Sequence, residues 1–174
     1  RVKDGQYVNG SGCGNEIATN HTVVTKYVIE SMKHWMNDYH INGFRFDLMG
    51  CLESTTMKLI YDTLYDIDPK VMVYGEPWTG GTSAVVSGAT AAVKPKTGRG
   101  DGTGAFDDEF RNAVKGGEFG GFQLGQVQGS YVDEKIVNGL TAETSRNKTG
   151  NPKLTIHYVE CHDNYTLADK LCYS

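Results

Sequence analysis

The chain has 174 residues, 39% hydrophobic and 22% charged, with a formal net charge of −4. This is the composition of one ordinary folded domain, not of a disordered or fibrous chain, and a mildly acidic balance lacks the concentrated basic face of nucleic-acid binders. No apolar run approaches the roughly 18 residues of a membrane helix, and no signal-peptide pattern opens the chain.

Residues 9–16, NGSGCGNE, read as a loop. Val24, Val28, Met32, Trp35, Met36 and Tyr39 then recur at steps of three and four, which predicts one apolar helix face over about 18 residues with Trp35 in the core. INGFRF is a short β-rich run. Met57, Ile60, Leu64 and Ile67 mark a second amphipathic helix, with Ser54 or Thr55 as its N-cap and Pro69 as its stop. VMVYG at 71–75 is a second strand. A long irregular glycine-bearing stretch follows over 79–105. Phe106, Phe110 and Val114 suggest a strand end running into a helical turn. LTIHYV at 154–159 is a fourth strand, and a further helix starts between Tyr165 and Leu171.

Strands alternating with helices argue for βα units and a parallel sheet, and strands this apolar are covered on both faces. No linker or internal repeat divides the chain, so 1–174 reads as one domain. Cys13, Cys51, Cys161 and Cys172 have no C-x-x-C spacing and read as free thiols rather than a zinc or redox motif.

Three acids stand where strands stop: Asp47 after GFRF, Glu76 after VMVYG and Asp163 after IHYVECH. Side chains alternate along a strand, so Gly43, Arg45 and Asp47 share one face while Phe44, Phe46 and Leu48 share the other. By the same rule Met72, Tyr74 and Glu76 share a face, as do Cys161 and Asp163. Carboxylates converging at the carboxyl ends of parallel strands suit glycoside hydrolysis. In a retaining enzyme one ionised carboxylate is the nucleophile and one protonated carboxyl is the acid. Arg45 would keep Asp47 ionised, and a less polar pocket would let Glu76 donate a proton. Trp78 offers a flat face for a sugar ring. The same acids could equally be solvated turn residues or helix caps.

Other patterns carry less. Arg99-Gly100-Asp101 matches an adhesion tripeptide, and Asn20-His21-Thr22, Asn147-Lys148-Thr149 and Asn164-Tyr165-Thr166 match glycosylation sequons. Asp101, Asp107, Asp108 and Glu109 lack EF-hand spacing and read as a solvated acidic face. His157, Cys161 and His162 do not share a strand face, so no metal site is expected, and no dinucleotide or phosphate-loop fingerprint calls for a cofactor.

The three strand-end motifs GFRFDLMG (43–50), YGEPW (74–78) and YVECHDN (158–164), in this order, resemble those of bacterial type I pullulanases, starch-debranching members of the α-amylase superfamily. The flanking runs NGSGCGNE, FDDEFRNAVKGG and HDNYTLADKL extend the resemblance over nearly the whole chain. It implies an incomplete (β/α)8 TIM barrel, about strands four to seven. The earlier family motif, roughly DVVYNHT, is missing, since Asn20-His21-Thr22 lacks the strand before it. The missing barrel strands would belong to a longer parent chain, which fits a first residue that is Arg.

The resemblance implies Asp47 as nucleophile, Glu76 as acid/base, and Asp163 as the third carboxylate, holding sugar hydroxyls. Arg45, His162, Trp78 and Asn164 would bind substrate or orient the acids. The implied substrates are α-glucans cleaved at α-1,6 linkages. Isoamylase-like or α-1,4 specificity, or a non-catalytic glucan-binding barrel, are the alternatives. A half barrel with two open sheet edges is expected to be inactive alone, and marginally stable or self-associating. The compartment stays open.

Overall fold

The computed structural model describes residues 1–85, 90–94, 101–117, 119, 122–142 and 150–173. A two-stranded antiparallel ribbon opens the chain, β1 (Val2–Lys3) and β2 (Gln6–Tyr7). Four strands then form one parallel sheet in chain order: β3 (Gly43–Phe46), β4 (Met72–Gly75), β5 (Gly104–Phe106) and β6 (Thr155–Ile156). Among the described residues the α-helices are α1 (Thr22–Tyr39), α2 (Ser54–Tyr65), α3 (Asp108–Lys115), α4 (Asp133–Leu140) and α5 (Leu167–Cys172). The alternation expected from the sequence is therefore present, in an α/β fold with a parallel sheet. The opening ribbon and α4 had no signal strong enough to anticipate them.

The core lies between α1, α2 and one sheet face. Ile29, Met32 and Met36 of α1 meet Met57, Ile60 and Leu64 of α2, with Val71, Val73, Met49 and Leu52 closing the cluster and Phe44 and Phe46 packed against it. Met57, Ile60 and Leu64 are wholly buried, worth about 1.5–3 kcal/mol each in transfer free energy. The α1 stripe is rotated from the expected one. Trp35 and Tyr39 are exposed and pack on each other at a tilt, centroids 4.6 Å apart, while Thr25 and Ile29 take core positions. Those two aromatics lie beside the buried face of α1, whose last core residue is Met36.

Two boundaries also differ. Neither Ser54 nor Thr55 caps α2: Glu53 is the N-cap residue, with no side-chain cap, and the Ser54 N–H donates to the carbonyl of Thr90 (2.6 Å). A neighbouring loop satisfies a donor that a cap would otherwise take. The last strand is two residues long rather than six. After the Asp107 N–H reaches the Ile156 carbonyl (2.9 Å), β5 gives way to α3, and β6 has no further ladder to follow.

Candidate active site

Register brings the first two acids together. Phe46 pairs with Gly75 across the β3–β4 ladder, so Asp47 and Glu76 are the next residue on each neighbouring strand. The Glu76 N–H continues the ladder to the Phe46 carbonyl (3.1 Å). Arg45, two residues before Asp47, points the same way, as strand alternation requires. Its Nη1 donates to Asp47 Oδ1, and its Nη2 donates to Glu76 Oε1 at 2.6 Å. Its guanidinium also lies 5.5 Å above the Phe106 ring. Burial opposes the charge on Arg45, but the hydrogen bond to Asp47 and the nearby Glu76 outweigh it and raise its pKa.

Glu76 is buried and Asp47 is exposed. Glu76 Oε2 also accepts the Leu48 N–H at 2.7 Å. Its surroundings are thus richer in donors than the less polar pocket expected. Leu48 does not join Phe44 and Phe46 in the core. It adopts a left-handed conformation (φ 43°) and turns to the cavity, which lets its N–H reach Glu76.

Gly50 ends GFRFDLMG for a steric reason. Its N–H donates to the carbonyls of Glu76 (3.2 Å) and Trp78 (3.1 Å), and a Cβ here would lie 2.4 Å from the Trp78 oxygen. Only glycine admits that approach, and it fixes the chain carrying Glu76 and Trp78.

His162 and Asp163 arrive from a loop rather than a strand, because β6 has already ended. The alternation argument for Cys161 and Asp163 therefore fails. His162 Nε2 lies 3.2 Å from Asp47 Oδ1 and 4.0 Å from Asp163 Oδ1. Asn164 takes a left-handed turn (φ 63°). Asp47, Glu76, Trp78, His162, Asp163 and Asn164 all line one cavity of about 660 Å³, and Arg45 ties its two nearest acids together. Asp47, Glu76 and His162 each place a polar atom within 4.8 Å of the others, with the Arg45 cation already between the carboxylates.

Sequence reading missed Arg111 and Tyr158, which line the same wall. Arg111 Nη1 donates to the Tyr158 hydroxyl (2.8 Å) and its guanidinium stacks on that ring. Burial pushes the Tyr158 phenol well above its ordinary range. The available signal was a tyrosine inside an apolar strand-like run, whose hydroxyl needs a partner when covered. Asp101 and Asp107 correct the expected solvated face. Both are buried and accept backbone N–H groups, Asp101 from Thr103 (3.0 Å) and Asp107 from Phe110 (3.1 Å) as the cap of α3. Arg99, Gly100 and 147–149 lie outside the described residues. The Asn20–Thr22 triplet sits at the start of α1, away from the cavity.

Pullulanase from Bacillus acidopullulyticus superposes on 98% of the chain with a TM-score of 0.91 and 43% identity. The chain is homologous to a segment of the bacterial pullulanases. A variant pullulanase from Paenibacillus barengoltzii, solved with maltotriose, matches all of the chain at 36% identity and a TM-score of 0.90. The pullulanase of Bacillus subtilis strain 168 is 30% identical in an alignment that covers 95% of the chain. These matches span 21%, 28% and 24% of the three pullulanases, so the chain corresponds to about a quarter of their length. No protein-family model matches it. No helix among the described residues is long and apolar enough to cross a membrane.

Proposed function

We propose that residues 1–174 are the central part of the catalytic (β/α)8 barrel of a retaining α-glucan debranching hydrolase, with β3 to β6 as its fourth to seventh strands. The substrate class is α-1,6-linked branch points in pullulan, amylopectin and related glucans. One observation carries the reading: Arg45 bonds both Asp47 and Glu76 at adjacent parallel strand ends, in a chain homologous to pullulanases. Oxygens of the two carboxylates approach within 4.8 Å, which accords with the close pair of about 5–5.5 Å that retention uses.

In this mechanism Asp47 attacks the anomeric carbon while Glu76 gives its proton to the departing glycosidic oxygen. Asp47 loses its charge in the covalent intermediate. Arg45 then faces Glu76 as a carboxylate, and the 2.6 Å contact suits that base form. Glu76 takes a proton from water, which releases the sugar. Asp163, His162 and Asn164 bind hydroxyls, and Trp78 offers a stacking face in the same cavity. A bound sugar would take over the bond that His162 makes to Asp47. The other barrel strands come from the parent chain, and the isolated segment is inactive.

Product analysis on pullulan with the parent protein tests this reading. Maltotriose should appear and should vanish in Asp47→Asn and in Glu76→Gln. Products of α-1,4 cleavage, or full activity in either variant, would overturn it.

A further inference from the structure

The cavity wall carries a nucleophile that hydrolysis does not use. Cys161 is an exposed free thiol facing the cavity. Its Sγ lies 3.2 Å from His162 Nδ1, and the other nitrogen of that ring lies 3.2 Å from Asp47 Oδ1. A thiol, an imidazole and a carboxylate thus stand in line, the order that activates cysteine nucleophiles. The same wall supplies an internal comparison. Cys13 is also exposed and lines the same cavity, but among the described residues no imidazole bonds its sulfur. Exposure is shared by the two thiols, and the His162 contact is not.

We propose that Cys161 is a site of reversible modification by low-molecular-weight disulfides, and that its adduct blocks the cavity. His162 Nδ1 accepts the thiol proton. The Cys161 sulfur then attacks one sulfur of the disulfide, so that a new S–S bond forms as the old one breaks. The departing half leaves as a thiolate and takes a proton from solvent. The incoming disulfide is itself the two-electron oxidant, and a free thiol reverses the reaction by the same exchange. The attached half occupies the cavity that Asp47 and Trp78 also line, and bonding to sulfur removes the His162–Cys161 hydrogen bond. Electrostatics point the same way: burial opposes the Cys161 thiolate, but the bond and charge of His162 outweigh it and lower the thiol pKa, while the contacts to Cys161 and Asp163 raise that of His162.

The thiol chemistry stands by itself; only the claim that the adduct excludes sugar rests on the proposed function. The test is peptide mass mapping of the parent protein during exposure to oxidised glutathione at neutral pH. Cys161 should be modified about tenfold faster than Cys13 or Cys172, and His162→Gln should bring it down to the Cys13 rate. Equal rates at Cys161 and Cys13 in the unaltered chain would overturn the proposal, as would a fast Cys161 indifferent to His162→Gln. Repeating the exposure with maltotriose separates the two claims. Slowed modification supports both, whereas fast modification that maltotriose leaves unchanged supports the thiol assignment and counts against the sugar site.

Discussion

Arg45 reaches across the β3–β4 ladder to Glu76, its Nη2 2.6 Å from Glu76 Oε1, while its other terminal nitrogen holds Asp47. One cation therefore sets the positions of two acids that start on different strands. Arg45→Met should remove the group that positions both acids and lower kcat on pullulan in the parent protein on the order of 10²-fold, the scale of a misplaced catalytic group. Arg45→Lys keeps the charge but cannot fork to both acids, so it should recover only part of that loss. A kcat unchanged in Arg45→Met would remove Arg45 from the site.

Gly50 is a positional constraint on Glu76 and Trp78. Gly50→Ala places a methyl group 2.4 Å from the Trp78 carbonyl, so the backbone must move. The expected outcome in the parent is a lower kcat with a raised KM, and a melting temperature below that of the unaltered protein. A Gly50→Ala variant that matches the unaltered protein in both assays would show that the contact is not needed.

The core between α1 and α2 is sensitive to lost volume. Ile60 and Leu64 are wholly buried, so Ile60→Ala or Leu64→Ala should each cost about 2–5 kcal/mol. Denaturant unfolding checks this. Trp35→Ala, at an exposed position, should cost much less, the reverse of what helical spacing suggested.

Glu53 ties the loop before α2 to the start of the chain. It accepts hydrogen bonds from Thr19 Oγ1 (2.5 Å) and Arg1 Nη2 (2.6 Å). Burial acts to raise its pKa, but the Thr19, backbone and Arg1 bonds outweigh it and bring it below the ordinary 4.5. A folded-state pKa below the unfolded one stabilises above the unfolded value, and that contribution is lost as pH falls through the folded value. Glu53→Gln should therefore be less stable near neutrality, with the gap closing below about pH 4.5. Thermal melts at pH 7 and pH 3 would show it, and an equal gap at both would disprove the linkage.

The sheet leaves edges and an inner face open. Among the described residues β3 pairs only with β4 and β6 only with β5, and Met72, on the face opposite the core, is exposed. Unpaired strand edges and bare apolar surface favour association. Size-exclusion chromatography of the 174-residue chain should show concentration-dependent oligomers and no release of maltotriose from pullulan. A stable, active monomer would contradict both.

Much of this was local and therefore readable. Apolar periodicity marked α1 and α2, short β-rich runs marked β3 and β4, and an acid at each strand end marked Asp47 and Glu76. Period-two alternation put Arg45 beside Asp47, because neighbours two apart on a strand share a face whatever surrounds them. Alternation failed for Asp163 and Cys161, since they follow a strand that ends at Ile156 when its partner turns into α3. Solvated readings failed for Asp101 and Asp107, because a buried acid that accepts backbone N–H groups has the same letter as an exposed one.

By itself the sequence determined the order of strands and helices, the faces of β3 and β4, and which acids end them. These follow from chain-local periodicity and sterics. The tertiary structure alone decided that Arg45 is shared between Asp47 and Glu76, that Gly50 must be bare beneath Trp78, and that His162 stands between Cys161 and Asp47. Those relations depend on inter-strand register and on loops meeting across a cavity. Both are set by packing between residues distant in the chain, and no local pattern encodes them.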